Sequence, residues 1–591
     1  MNRFARMLLL TAWAGCLAPV SPVSAGPLIR QPPGTFPVDS VQVGMVGVGL
    51  SVFEGTRIDS FPVTILGVLR GYRPGATLIL ARAEGAYLQR TGIIAGMSGS
   101  PVYIHGKLLG AIAYAWAFNK DPVGGITPIG EMLNIFPKEG PPPPEDPENR
   151  IGSLDSTPSS PLDDPTGARP IATPLVLSGF SPQAVRYLDP WLKEQGFVAS
   201  PGGGQVPGIS CDSLVPGSAV GVQLIKGDWS AAAIGTLTYR DGDRVLAFGH
   251  PFVALGWVRF PLTGATIHTV FASEQLSTKV GSPTTPCGSL VADRSTGVGG
   301  DIGIAPAMIP VSISISGNGG RDRHYHFEVA KSRFLAPQLI GMTVVNSISE
   351  ALNDVGFATI RYDLTFSMNG GKRTIRKGNI FLTQSPVSGV GEEVTQTLQL
   401  LLSDHFRPTT LDSVRVDLRS SPGLEAARIS EVRLRPTTAS PGDSVEVEVL
   451  LRTGGSGQET RRVKVRVPPQ TPPGEITVRV CDGDETDKWD TERTPDRFKP
   501  ETFDQLARVL EEERKLDRIY VQLYRASGGA TIRGGEISQA PPSVLDVLQS
   551  DPNSGAVSPT KGATLQEVTI PLPMVARGCE TAKLTIVPDW H

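Results

Sequence analysis

The hexapeptide Gly96-Met97-Ser98-Gly99-Ser100-Pro101 places a serine hydroxyl between glycines. Glycine before a serine lets the backbone turn sharply enough to aim two N–H groups at one point. A hydroxyl held there can attack a carbonyl, and the N–H groups, here those of Gly96 and Ser98, receive the charge that develops on the carbonyl oxygen. Serine is a weak nucleophile without a base. Far downstream, Gly249-His250 offers an imidazole, the side chain whose proton affinity suits that task near neutral pH. The base needs a partner on its other ring nitrogen, and Asp241 and Asp243 stand nearest in the sequence. The plain alternative is a Gly/Ser-rich hairpin loop without chemistry, because Gly-x-Ser-Gly is a common string.

The elements that must hold these residues read as β-strands. Val102-Tyr103-Ile104, the turn His105-Gly106 and Lys107-Leu108-Leu109-Gly110-Ala111-Ile112-Ala113 predict a hairpin directly after the serine. A hairpin there excludes the α/β-hydrolase arrangement, in which a helix follows the nucleophile, and position 100 is serine where that motif has glycine. Short apolar runs cut by glycine cover 41–136, and the β pattern resumes over 208–315. Between them, 138–169 is rich in proline, serine and aspartate and cannot build a core. Ser181-Pro182 predicts a helix start, 339–352 and 394–401 read as helical, and 500–521 reads as the strongest helix.

Thr91 through Pro101, together with Gly106-Lys107-Leu108-Leu109-Gly110-Ala111, resembles the SpoIVB-type serine peptidases, the stage IV sporulation protein B family. The likeness continues from Asp121-Pro122 to Ile129-Gly130-Glu131-Met132-Leu133, and is met again at Ile234-Gly235-Thr236-Leu237-Thr238-Tyr239 and Leu246-Ala247-Phe248-Gly249-His250. The resemblance implies a trypsin-like double barrel, Ser98 as nucleophile, His250 as base and Glu84 as acid, with Gly96 and Ser98 forming the oxyanion hole. It also shows a departure. The family order is base, acid, nucleophile, whereas here the serine segment comes first, so the two barrel halves stand in swapped order; a triad is defined by geometry and tolerates this. The tail Pro251-Phe252-Val253-Ala254-Leu255-Gly256 after Gly249-His250 lacks the acidic residues often seen there in that family, and no PDZ-type module is recognisable.

The expected fold is therefore mainly β: a trypsin-like double β-barrel, then an immunoglobulin-like β-sandwich and a small α+β C-terminal region. The expected boundaries are 1–25 for a signal peptide, 26–137 for the serine half-barrel, 138–170 for the linker, 171–425 for the histidine half-barrel with a β extension, 426–485 for the sandwich and 486–591 for the last region. Arg3 and Arg6, the apolar run from Met7 to Leu17 and Val23-Ser24-Ala25 give the signal its three parts. The mature chain is then exported to a periplasm, cell envelope or extracellular space, with no later membrane span. Cys211, Cys287, Cys481 and Cys579 remain, and export favours the disulfides Cys211–Cys287 and Cys481–Cys579. A net charge of -3 without a basic block argues against nucleic acid as a partner. His324 and His326 on one side of a strand lack further ligands, and no cofactor motif is present. Two functions remain: an exported serine endopeptidase acting on a protein or peptide, and a non-catalytic envelope binding or assembly protein on a peptidase-like scaffold. Nothing in the sequence fixes the oligomeric state.

Overall fold

The computed structural model describes residues 34–136 and 167–588, apart from 117–118, 120, 208–210, 318–321, 353–356, 384–385, 404–408, 455–456, 495–497, 533–534, 538–542 and 544–556. The expected signal peptide and nearly all of the expected linker lie outside the described residues. Mainly β structure is found, and two closed rings of strands dominate it.

The first ring is built from β1 (Val46–Glu54), β2 (Arg57–Arg73), β3 (Ala76–Ala83), β4 (Ser100–Ile104), β5 (Lys107–Trp116) and β6 (Val123–Pro128). The pairing runs β4-β1-β2-β3-β6-β5, and a β4–β5 pairing closes it. Closure leaves no open edge in the ring. Alternate residues point inward, and Val63, Ile65, Ile79, Ala81, Val102 and Ile126 fill the interior.

A short strand β7 (Ala168–Pro170) pairs with β5, and β8 (Thr173–Ser178) and β9 (Phe197–Pro201) lead into the second unit. The second ring comprises β10 (Ala219–Gly227), β11 (Ser230–Asp241), β12 (Arg244–Ala247), β13 (Gly256–Phe271), β14 (Thr278–Arg294) and β15 (Gly297–Ile302). Its order is β10-β13-β14-β15-β12-β11, closed by β10–β11. Val220, Leu237, Val245, Leu262, Leu290 and Val298 lie in its core. From β10 the same sheet extends through β17 (Arg323–Ala330), β16 (Met308–Gly317), β20 (Leu411–Pro422), β18 (Ala358–Met368) and β19 (Arg373–Thr383). The helices Pro182–Glu194, Ala336–Ala351 and Pro386–Leu401 cover this extension. Ser181 caps the first of them by accepting from Ala184 N at 3.2 Å.

The two rings share apolar contacts. Val52 of the first packs with Ala219, Ile234, Ala265 and Ile267 of the second, and Leu108, Ala111 and Met132 pack with Leu246 and Ala292. The bridges Gly55–Ile267 and Ala95–Thr278 stitch the backbones across the same seam.

Two findings differ from the sequence reading. The expected helix over 500–521 stops early: only Phe503–Glu511 is helical, capped by Thr502, and Arg518–Ile532 is a strand. Ile519, Val521 and Leu523 alternate into a buried core, which outweighs the helical tendency of the charged run before them. The expected boundary at 485 does not separate two cores. Strand Gly474–Cys481 pairs with both Arg518–Ile532 and Cys579–Ile586, so one two-sheet unit runs across it. Two of its pairings are parallel, Ala426–Arg435 with Val575–Arg577 and Thr438–Ala439 with Cys579–Ile586, unlike the all-antiparallel immunoglobulin arrangement. Both cysteine pairs come together, with Cα–Cα distances of 5.8 Å for Cys211–Cys287 and 4.0 Å for Cys481–Cys579. Among the described residues no helix is long and apolar enough to cross a membrane.

Candidate active site at the seam of the two barrels

The serine loop enters β4 from the helix Ala86–Thr91. Gly96 and Gly99 both adopt a φ of 95°, a left-handed value that favours glycine. A Cβ on Gly99 would strike the Thr236 carbonyl and lie 2.5 Å from Phe248 N, so the loop is pressed onto the second barrel. Its amides alternate. Ala95, Met97, Gly99 and Ser100 donate to the carbonyls of Ser277, Ile94, Ile112 and Met97. Gly96 N–H and Ser98 N–H make no hydrogen bond to a described residue. These are the two donors the sequence singled out for an oxyanion.

β11 grips this loop from the other barrel. Thr236 N donates to Ser98 O at 2.9 Å, Thr236 Oγ1 to Gly96 O at 3.0 Å and Thr238 Oγ1 to Gly99 O at 2.7 Å. Ser98 is 0% exposed, and its hydroxyl has no hydrogen-bond partner. A buried polar atom left unpaired in this way is costly and calls for a reason.

His250 lies on the far side of the same seam. Phe248 N donates to Thr236 O, and Gly249 O accepts from Thr127 Oγ1 of β6 at 2.6 Å. The ring is 2% exposed. Nδ1 is 2.7 Å from Pro251 O, a pure acceptor, so Nδ1 carries the hydrogen and Nε2 the lone pair. Among the described residues Nε2 has no hydrogen-bond partner. Burial lowers the imidazole to about 4, outweighing the nearby Pro251 and Ile171 backbone, which favours the protonated ring. The ring is neutral at pH 7.

The hydrogen-bonded triad that the resemblance implies is not assembled. Ser98 Oγ and His250 Nε2 are each unpaired, so they do not bond one another. Glu84 lies at the end of β3, where it accepts from Thr64 Oγ1 at 2.8 Å. Asp241 and Asp243 are exposed in the β11–β12 turn. None of the three reaches Nδ1, which the Pro251 carbonyl already occupies.

Two groups were missed in the sequence. Asp293 is 1% exposed and accepts from Phe252 N at 2.7 Å, Val253 N at 2.8 Å and Leu255 N at 3.1 Å, fixing the loop that follows His250. Burial raises its carboxyl, and those amides oppose the shift. A carboxylate ending the apolar run Leu290-Val291-Ala292 was the available signal. Lys279 is fully buried beside the serine loop, donating to Ser51 Oγ at 3.0 Å and Thr236 Oγ1 at 3.4 Å. Its neighbours Thr278 and Val280 gave no hint of such a setting. His324 and His326 are exposed, and no group of three or more metal-binding side chains occurs among the described residues.

No curated protein and no solved structure matches this chain. Residues 37–133 match the family model of the SpoIVB peptidase S55, a segment that includes Ser98 and Glu84 but not His250.

Proposed function

We propose that the protein is an exported serine endopeptidase in which Ser98 attacks a peptide carbonyl and His250 takes its proton. The observation that carries this reading is the pair of unspent amides, Gly96 N–H and Ser98 N–H, on the loop that holds an unpaired serine hydroxyl. An oxyanion would meet both donors without rearrangement of the loop's other bonds. His250 suits the base role because its Nε2 lone pair is free, with the Pro251 carbonyl doing the orienting that a carboxylate does elsewhere. Two cysteine pairs at bonding distance accord with an oxidising compartment. Catalysis requires the seam to open, since both side chains are buried.

The test is turnover of unstructured peptide by the mature protein. Ser98→Ala and His250→Ala should each lower kcat/KM about a thousandfold or more. Equal turnover by wild type and both variants, or none by any of them across a broad peptide library, overturns the reading. The closed seam is the one observation favouring a second reading, a non-catalytic binding or assembly scaffold, and the second outcome would favour it.

A further inference from the structure

Lys279 is an anomaly. Buried lysines ordinarily pair with a carboxylate, yet this one contacts only hydroxyls and one ring: Ser51 Oγ at 3.0 Å, Thr236 Oγ1 at 3.4 Å and the Phe53 ring centroid at 5.9 Å. Ser51 Oγ in turn accepts from Ser100 Oγ at 3.1 Å. Ser100, Ser51 and Lys279 are all 0% exposed. They form an unbroken chain from the serine loop to an amine: a hydroxyl two residues beyond Ser98, a bridging hydroxyl on β1 and an amino group on β14.

We propose that Ser100, Ser51 and Lys279 form a second nucleophile–relay–base unit on the serine loop, able to take an acyl group from an amide or ester carbonyl independently of His250. Ser100 Oγ bonds to the carbonyl carbon as its proton passes to Ser51 Oγ and the Ser51 proton passes to the neutral Nζ. Collapse of the tetrahedral adduct breaks the carbon–nitrogen or carbon–oxygen bond, and the proton returns through Ser51 to the departing amine or alcohol. Water then repeats the sequence on the acyl-serine, releasing the carboxylic acid and restoring Ser100. Lysine serves as such a base where a dry setting keeps it neutral. Burial lowers Lys279 to about 7 and is the only cause acting on it. Among the described residues, none of the elements packed around it, β1 with Ser51 and Phe53, β8 with Pro174, β11 with Thr236, β13 with Val270 and the loop at Gly96, presents a charged group to it. Ser100 opens β4 directly after the loop that carries the two unspent amides, with its own amide bonded to Met97 O at 2.9 Å.

The experiment is fluorophosphonate labelling of the mature protein, with the adduct placed by tandem mass spectrometry within the tryptic peptide Thr91–Lys107. Labelling forms the serine oxygen–phosphorus bond and expels fluoride. The expected result is an adduct on Ser100 that persists in Ser98→Ala. It should fall at least a hundredfold in rate in both Lys279→Met and Ser51→Ala, and its rate in wild type should rise as pH increases through about 7. Circular dichroism melts verify that the variants fold, and either variant alone suffices. No Ser100 adduct in wild type, or a Ser100 adduct indifferent to both substitutions, overturns the relay. An adduct on Ser100 but none on Ser98 would sink the His250-dependent reading and leave the relay standing; the reverse would do the opposite.

Discussion

Burial disfavours the charged form of two basic groups in the seam, and the fold bears a cost that depends on pH. His250 is lowered from 6.5 to about 4, so the unfolded chain binds more protons between those values, and stability falls as pH drops through that window. Lys279 is lowered from 10.5 to about 7, so its cost to folding is absent above 10.5 and grows as pH falls to about 7. Each unit of such a shift corresponds to about 1.4 kcal/mol. Lys279→Met should therefore raise the melting temperature at pH 7 and flatten the rise in stability between pH 7 and 10; scanning calorimetry at several pH values checks both. A lower melting temperature at every pH would mean that the hydroxyl contacts of Nζ outweigh its desolvation.

The elements that position the site are β11 and the loop after His250. Thr236 makes bonds to Gly96, Ser98 and Phe248 through its side chain and backbone, and only those of its hydroxyl, to Gly96 O and from Lys279 Nζ, are removable by substitution. Thr236→Val should cost about 1–3 kcal/mol, as for a buried carbonyl left unpaired. Asp293→Asn should cost at least as much, because its carboxylate accepts three amides of the 252–255 loop at 2.7–3.1 Å and an amide oxygen replaces only one acceptor. Chemical denaturation measures both, and hydrogen exchange at Phe252, Val253 and Leu255 should quicken in Asp293→Asn alone. Unchanged protection at those amides would show that the loop is held by other contacts. Sequence reading found the hairpin after Ser98 and the helix at Ser181 because a turn signal and a cap are local. It missed Asp293 and Lys279 because their meaning comes from strands distant in sequence, and the resemblance gave the acid role to Glu84, whose carboxylate accepts from Thr64 Oγ1.

At the scale of the molecule, the two rings pack as one body through shared apolar clusters and the hydrogen bonds of Thr127, Thr236 and Thr238. Limited proteolysis within 138–166, open to cleavage by its composition, should nick the chain while both fragments co-elute on gel filtration. Separate elution would mean that the seam is weaker than its buried contacts imply. The double barrel was legible because each half carries short apolar runs and a stretch of family resemblance. The C-terminal unit was not, since its sheets join residues on both sides of 485 and pairing between distant strands leaves no local trace. The central claim concerns Ser98 and His250, whose Oγ and Nε2 are buried and unpaired among the described residues. It is tested most directly by a crystal structure of the fluorophosphonate-treated protein. The account predicts phosphorus bonded to Ser98 Oγ, its oxygen on the Gly96 and Ser98 amides, and His250 Nε2 within about 3 Å of Ser98 Oγ. An unmodified Ser98, or an imidazole more than about 8 Å from it and beyond reach of a bridging water, would contradict the account.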